Sequence, residues 1–325
     1  MPVTLAQAML NAQTALDVAV IDEFRTNPLL DLMVFDDVVN PAGGGATLTY
    51  GYRRLITAPT ADFRAINSEY TPTEVTTAQY FTDLKPLGGS FQIDRVLANI
   101  GASASGEVAL QMSQKIKAAQ AKFGEACING DVAVDALGFD GLAKALTGST
   151  TEDTTAIDLS GVQDMTWAFK VLSTVDDLLS LMDGSASALI GNRRIINIIR
   201  AAARMTAQYT QTPGPRATTI EKYGSAVLVD AGLKAGSGSD VVTYNLVDPD
   251  AAGPLVAFST ALYAVRIGLD GFHGVSVAGG NVVSQYPPDF TTPGAVKTGE
   301  VELGPVSVVL KRTKAAAVKT NIQVQ

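Results

Sequence analysis

The chain has 325 residues, 46% hydrophobic and only 17% charged, with a formal net charge of −8. A protein that grips nucleic acid by its own charge is usually basic, so a pI near 4.7 argues against direct duplex binding. A single cysteine excludes an internal disulfide and suits a reducing cytoplasm. No basic-then-apolar leader follows Met1, and no apolar run reaches about 18 residues, which predicts a soluble protein without a membrane partner. The length suffices for two bodies with cores of their own, and mean hydropathy of +0.19 implies large buried area, some of it between subunits.

Taken in order, residues 4–25 are predicted as a helix. Thr4 and Gln7 make a capping-box pair, and Leu5, Met9, Ala12, Leu16, Val20 and Phe24 share a face. Residues 29–39 are apolar and extended or loosely helical, an arm too short to bury itself, and the glycines at 43–45 form a joint. Residues 46–92 are predicted as an extended two-stranded ribbon. Thr47 to Leu55 and Tyr80 to Ile93 are rich in strand formers, and the polar stretch between them holds six threonines with Pro59 and Pro72. An isolated hairpin is barely stable in water, so a ribbon of this length must pack on its own body or be completed by another chain.

Ser105 to Ile128 carries the period of one helix face in Val108, Met112, Ile116, Ala119, Phe123 and Cys127. Ser105 is predicted as its N-cap, Glu107 suits its positive end, and Gly130 lets the chain turn back. After the GFDGL turn at 138–142, the residues 147–156 mark a boundary. Ser160 and Gln163 form a second capping box, opening a helix with Val162, Met165, Phe169, Leu172, Val175, Leu179 and Met182 inside. Ser187 to Ile190 reads as a buried strand. Asn192 then caps a helix with Ile195, Ile196, Ile198, Ile199 and Ala202 inside and Arg193, Arg194, Arg200 and Arg204 outside. Residues 211–219 read as a Pro/Gly loop. Strands are predicted over 226–230, 241–247, 255–258, 262–267, 274–278, 295–302 and 306–311, with no long helix after residue 206.

No enzyme constellation emerges. His273, the one histidine, stands between Gly271 and Gly274 and reads as part of a turn, so a Ser-His-Asp or histidine-rich metal site lacks its parts. Cys127 lies on the apolar helix face and reads as a small buried hydrophobe. The glycine runs at 43–45 and 236–239 lack the strand-to-helix context of a phosphate cradle. The adjacent pairs Asp36-Asp37 and Asp176-Asp177 do not face each other and read as solvated. The arginine face at 193–204 and the basic run at 311–314 read as solvated faces or subunit contacts. No catalytic residue, metal site or cofactor is expected.

This order of parts resembles the major capsid proteins of tailed bacteriophages, the Hong Kong 97 capsid fold. RAINSEYTP at 64–72 is similar to their extended loop, and FQIDRVL at 91–97 to the strand entering their spine helix. ACINGD at 126–131 with GFDGL at 138–142 is similar to the end of that helix, and IEKYG at 220–224, running on to Asp230, to the strand pair of their axial domain. The resemblance implies an α+β capsid fold: an N-terminal arm at 1–45, an extended loop at 46–92, a peripheral domain with the spine helix at 93–146 and 263–311, and an axial domain at 147–262 and 312–325. It also implies hexamers and pentamers of the chain itself, forming an icosahedral virion shell assembled in the host bacterial cytoplasm. Portal and cementing proteins would be its partners, and double-stranded DNA would be held without sequence-specific binding.

One departure matters. Some relatives join subunits through an isopeptide bond from a loop lysine, yet residues 46–84 contain no lysine. Arginine stays protonated and is a poor nucleophile. The expectation is a shell without covalent cross-links, in which Arg53, Arg54, Arg64 and Glu69 make assembly contacts. The short region before the loop also implies a separate scaffolding protein. Two other readings compete: an encapsulin-type nanocompartment shell of the same fold, and a soluble α/β enzyme, which the lack of catalytic residues disfavours.

Overall fold

The computed structural model describes residues 29–39, 47–96, 103–213, 219–247, 257–277 and 283–324. The helix read at 4–25 and the joint at 43–45 lie outside these. The described residues begin with a one-turn helix (Leu29–Leu32) and β1 (Phe35–Asp36), then β2 (Thr49–Thr57), β3 (Thr76–Asp83) and β4 (Lys85–Asp94). The long helix (Ser103–Asn129) and a short one (Leu142–Leu146) follow, then β5 (Glu152–Asp153), β6 (Ile157–Asp158), the Met165–Ser180 helix, β7 (Ala188–Gly191) and the Arg193–Met205 helix. Strands make up nearly all the rest: β8 (Thr210–Pro213), β9 (Thr219–Tyr223), β10 (Ala226–Asp230), β11 (Asn245–Val247), β12 (Ala257–Val265), β13 (Phe272–Ser276), β14 (Val283–Tyr286), β15 (Val296–Leu310) and β16 (Ala316–Gln323).

Two sheets result. The larger runs β5-β16-β12-β7-β10-β9-β8, with β11 added on β12 and β6 on β16. Its central strands are covered on both faces, because successive side chains point to opposite sides. On β7, Ala188 and Ile190 join the core shared with the long helix, while Leu189 joins the core under the two shorter helices. The second sheet runs β1-β13-β15-β14, with β4 on the other side of β15. The long helix lies across it: Met112 packs on Phe91 and Val301, and the fully buried Phe123 belongs to the same core as Leu303, Val306 and Val308. β15 alternates buried and exposed residues in its first half, then is buried throughout from Val306 to Leu310. The second face of that stretch is covered by Val39, Tyr50 and Leu84, which pack on Val275 and Val309.

The structure corrects several expectations. The ribbon is β2 with β3 alone; residues 85–94 turn away and pair with β15, so the strand read over Tyr80 to Ile93 is two strands in two sheets. Leu84 is the hinge residue, its side chain drawn into the core beneath the ribbon. The long helix starts at Ser103, so Ser105 lies within it, and Glu107 falls beyond the first turn. Gly130 serves by its missing side chain: a Cβ there would stand 2.2 Å from the Phe139 carbonyl oxygen.

The Met165–Ser180 helix is capped by Asp164, which accepts from the Trp167 amide at 2.7 Å, and not by Ser160. Trp167 then turns inward, donating from its indole to the Leu159 carbonyl at 2.9 Å. The buried face becomes Trp167, Ala168, Val171, Leu172, Val175 and Leu178, and Val162, Met165 and Phe169 are left exposed. The strands read at 255–258 and 262–267 are one strand, β12, as those at 295–302 and 306–311 are one, β15. Each has its register irregularity at the break read in the sequence, between Thr260 and Leu262 and between Leu303 and Val306. A proline inside a strand is tolerated at such an irregularity, which accounts for Pro305. The ends of the 211–219 loop pair as β8 and β9, and of 241–247 only the last three residues are strand. His273 sits within β13 and not in a turn.

Candidate assembly surface

The ribbon divides at about Leu55. Below it, one face looks onto the body. Tyr50, Tyr52 and Arg54 alternate along that face, as strand geometry requires. The Tyr50 hydroxyl donates to Asp36 Oδ2 at 3.0 Å, and Tyr52 stacks on Tyr80 across the ribbon at 5.6 Å. The Arg54 guanidinium lies 4.6 Å from the Tyr80 ring centre and donates to the Lys311 carbonyl at 2.9 Å, to the Leu310 carbonyl, and to the Tyr52 hydroxyl. Both carbonyls close β15. Arg54 thereby fastens the ribbon to the sheet at its foot.

Above Leu55 the ribbon projects away from the body, and its residues to Val75 are exposed. The tip is stitched internally: the Thr60 amide donates to Thr73 Oγ1 at 3.3 Å, and Thr76 donates to Thr57 at 2.8 Å. Arg64 spans the turn at its end, donating to the Ala65 and Ser68 carbonyls at 3.3 and 3.2 Å, with its guanidinium 5.3 Å from the Tyr70 ring centre. Asn67 takes the left-handed conformation the turn needs, which asparagine tolerates better than most side chains. This frame holds two large apolar side chains in open solvent: Phe63 is 107% and Ile66 91% exposed. Single exposed apolar residues are ordinary, but two nearly bare ones on one stitched loop call for a covering surface.

The four arginine and glutamate positions singled out in the sequence do not form one cluster. Arg54 is engaged by its own body and Arg64 by its own loop. The Arg53 and Glu69 side chains are exposed and make no hydrogen bond or ion pair among the described residues. Sequence reasoning missed Phe63 and Ile66, although two apolar residues three apart in a threonine-rich stretch were the available signal. It also missed Val134 and Leu137, 87% and 83% exposed in the turn after the long helix. That turn is held by Asp131, which accepts from the Ala133 amide at 2.9 Å and pairs with Lys144 at 3.0 Å. These bonds to its charged form hold the Asp131 carboxyl below the usual range. Cys127 is fully buried, and burial pushes its thiol well above its ordinary pKa, against a nucleophilic role.

No protein-family model and no curated protein matches the chain. Solved structures do, over almost its whole length. The holo-SrpI encapsulin complex of Synechococcus elongatus aligns with a TM-score of 0.61 at 13% identity, covering 100% of this chain and 98% of that one. The capsid of Myoviridae phage XM1 aligns at 0.57 and 11% identity, covering 98% of each. The capsid of an empty GTA particle aligns at 0.57 and 13%, covering 99% of this chain and 97% of that one. At such identities the likeness is one of fold.

Proposed function

We propose that this chain, which has the Hong Kong 97 type capsid fold, is the repeating subunit of a closed shell, and that the shell is the icosahedral capsid of a tailed phage enclosing double-stranded DNA. The observation that carries the proposal is the ribbon tip, a built loop whose Phe63 and Ile66 meet nothing in their own subunit. Burying an aromatic or branched aliphatic side chain contributes about 2 kcal/mol. Repeated at every subunit of a shell, that gain is large enough to direct assembly. The tip lies across a neighbouring copy, and Arg53 and Glu69 supply charged contacts at its flanks. Copies form hexamers and pentamers, with portal, scaffolding and cementing proteins as further partners. An acidic chain suits a container that confines DNA and leaves charge neutralisation to counterions.

An encapsulin-type shell holding protein cargo is the second reading, favoured by the TM-score of the encapsulin complex, 0.61 against 0.57 for phage XM1. Electron microscopy of the expressed protein, alone and with a candidate scaffold, tests the common claim. Closed particles support it, and a monodisperse monomer rejects it. Nucleic acid inside particles recovered from their native source supports the capsid, and an enzyme cargo supports the compartment. Because no lysine lies in residues 46–84, boiled particles should run as one band at 33.8 kDa. A ladder of higher bands would contradict an uncross-linked shell.

A further inference from the structure

The foot of the ribbon covers an unusual piece of sheet. His273 in β13 is completely buried, yet among the described residues neither of its ring nitrogens has a partner at full hydrogen-bond geometry, and only the Gly271 backbone offers a weak one. Ser307 stands opposite Val275, as Val309 stands opposite His273, so all four share the sheet face under the ribbon. The Ser307 hydroxyl is buried without a partner as well. Buried polar groups are normally paired, and each unpaired one lowers the stability of the contact that hides it. Tyr50 closes the site with the edge of its ring, 6.0 Å from the imidazole at 74°.

Charged groups surround the histidine from every packed element. Asp36, on the arm, brings Oδ2 to 4.0 Å of the His273 Nε2. The same oxygen accepts from Tyr50 and lies 3.8 Å from the Lys311 ammonium, which in turn sits 5.5 Å from the Tyr50 ring centre. Arg54 bonds the carbonyls of Leu310 and Lys311 beside them, and Asp270 lies in the turn before β13. Arm, ribbon and sheet thus meet at one carboxylate.

We propose that Tyr50, Asp36, Lys311 and His273 form a proton-sensitive latch, which holds the ribbon down on its own subunit while His273 is neutral and lets it lift when His273 is protonated. Lifting Tyr50 is the movement that would bring the imidazole to water. Burial, and then Lys311, lower the His273 pKa from its ordinary value, outweighing the opposite pulls of Asp36, the Gly271 backbone and Asp270. A histidine depressed in the closed state stabilises that state fully above its ordinary pKa of about 6.5, and the contribution is lost as pH falls through the lowered value. Acid therefore favours the open foot. The latch is a property of one subunit and stands whether or not copies assemble.

The full-length chain carries its own reporter, since it has one histidine. Deuterium exchange at the imidazole C2 position, followed by mass spectrometry across a pH series, reads the midpoint of His273 directly. Amide exchange of peptides covering residues 49–57 and 76–83, corrected for intrinsic rates, reads the lifting. The expected result is a histidine midpoint below about 6.5, with ribbon-foot protection falling up to about tenfold per pH unit between about 6.5 and that midpoint and levelling off beneath it. Peptides from the long helix should keep their protection over the same range. His273→Phe and His273→Gln should both abolish the pH dependence, and the glutamine variant carries the test if the phenylalanine variant does not fold. A midpoint at or above about 6.5, protection of the ribbon foot that does not change with pH, or acid loosening that survives in both variants would overturn the proposal.

Discussion

The two halves of the ribbon use the same kinds of residue to opposite ends. At the foot, Tyr50 is 4% exposed and Arg54 is bonded to the carbonyls that end β15; at the tip, Phe63 is wholly exposed and Arg64 bonds only its own loop. An aromatic beside an arginine is an internal fastening in one place and an unfilled contact in the other. Burial separates them. The foot has a sheet face to cover, namely Val275 and Val309, and the tip has none within its subunit. Residue type alone does not say whether an apolar side chain belongs to its own core or to another copy's.

Substitutions should separate the halves sharply. The largest effect is expected from Tyr50→Ala, which strips the cover from Val275, Val309 and His273. Removing a buried aromatic costs about 3–5 kcal/mol, and the loss should show in chemical denaturation and in amide exchange of β2 and β3. Changing Phe63 and Ile66 together to glutamate should leave the melting of the unassembled subunit unaltered while preventing particle formation, as followed by sedimentation. A lowered melting point in that variant would mean the tip packs on its own body. Arg54→Ala should cost about 1–2 kcal/mol, for lost charge-assisted bonds to two carbonyls at a partly exposed site. Arg53→Ala should change subunit stability by less than about 0.5 kcal/mol, because the side chain is exposed and unpaired. Equal losses for the two arginines would erase the difference between the two faces of β2.

Much of the fold was legible from periodicity. The face from Val108 to Cys127, the Asn192 cap, which accepts from the Ile195 amide at 3.0 Å, and β10 stand where the pattern put them. What escaped were features decided at long range. β16, an interior strand of the larger sheet, lies in an alanine-rich stretch with no alternation, since both its faces are covered. β4 reads as a continuation of the ribbon until its partner β15, over 200 residues away, is known. The buried face of the Met165–Ser180 helix includes Trp167, whose indole bonds the Leu159 carbonyl, and leaves out Met165 and Phe169, which spacing had placed inside. At the candidate site, charge drew notice to Arg54 and Arg64, whose partners are within the chain. The exposed Phe63 and Ile66 became visible only when the body was seen to end below them.

Hydroxyl-radical footprinting at Phe63, compared between dissociated subunits and assembled particles, bears most directly on the claim that each copy completes its neighbour. Phe63 should be strongly labelled in the free subunit and protected in the particle, with Tyr50 protected in both. Equal labelling of Phe63 in the two states, or its protection in a lone monomer, would contradict it.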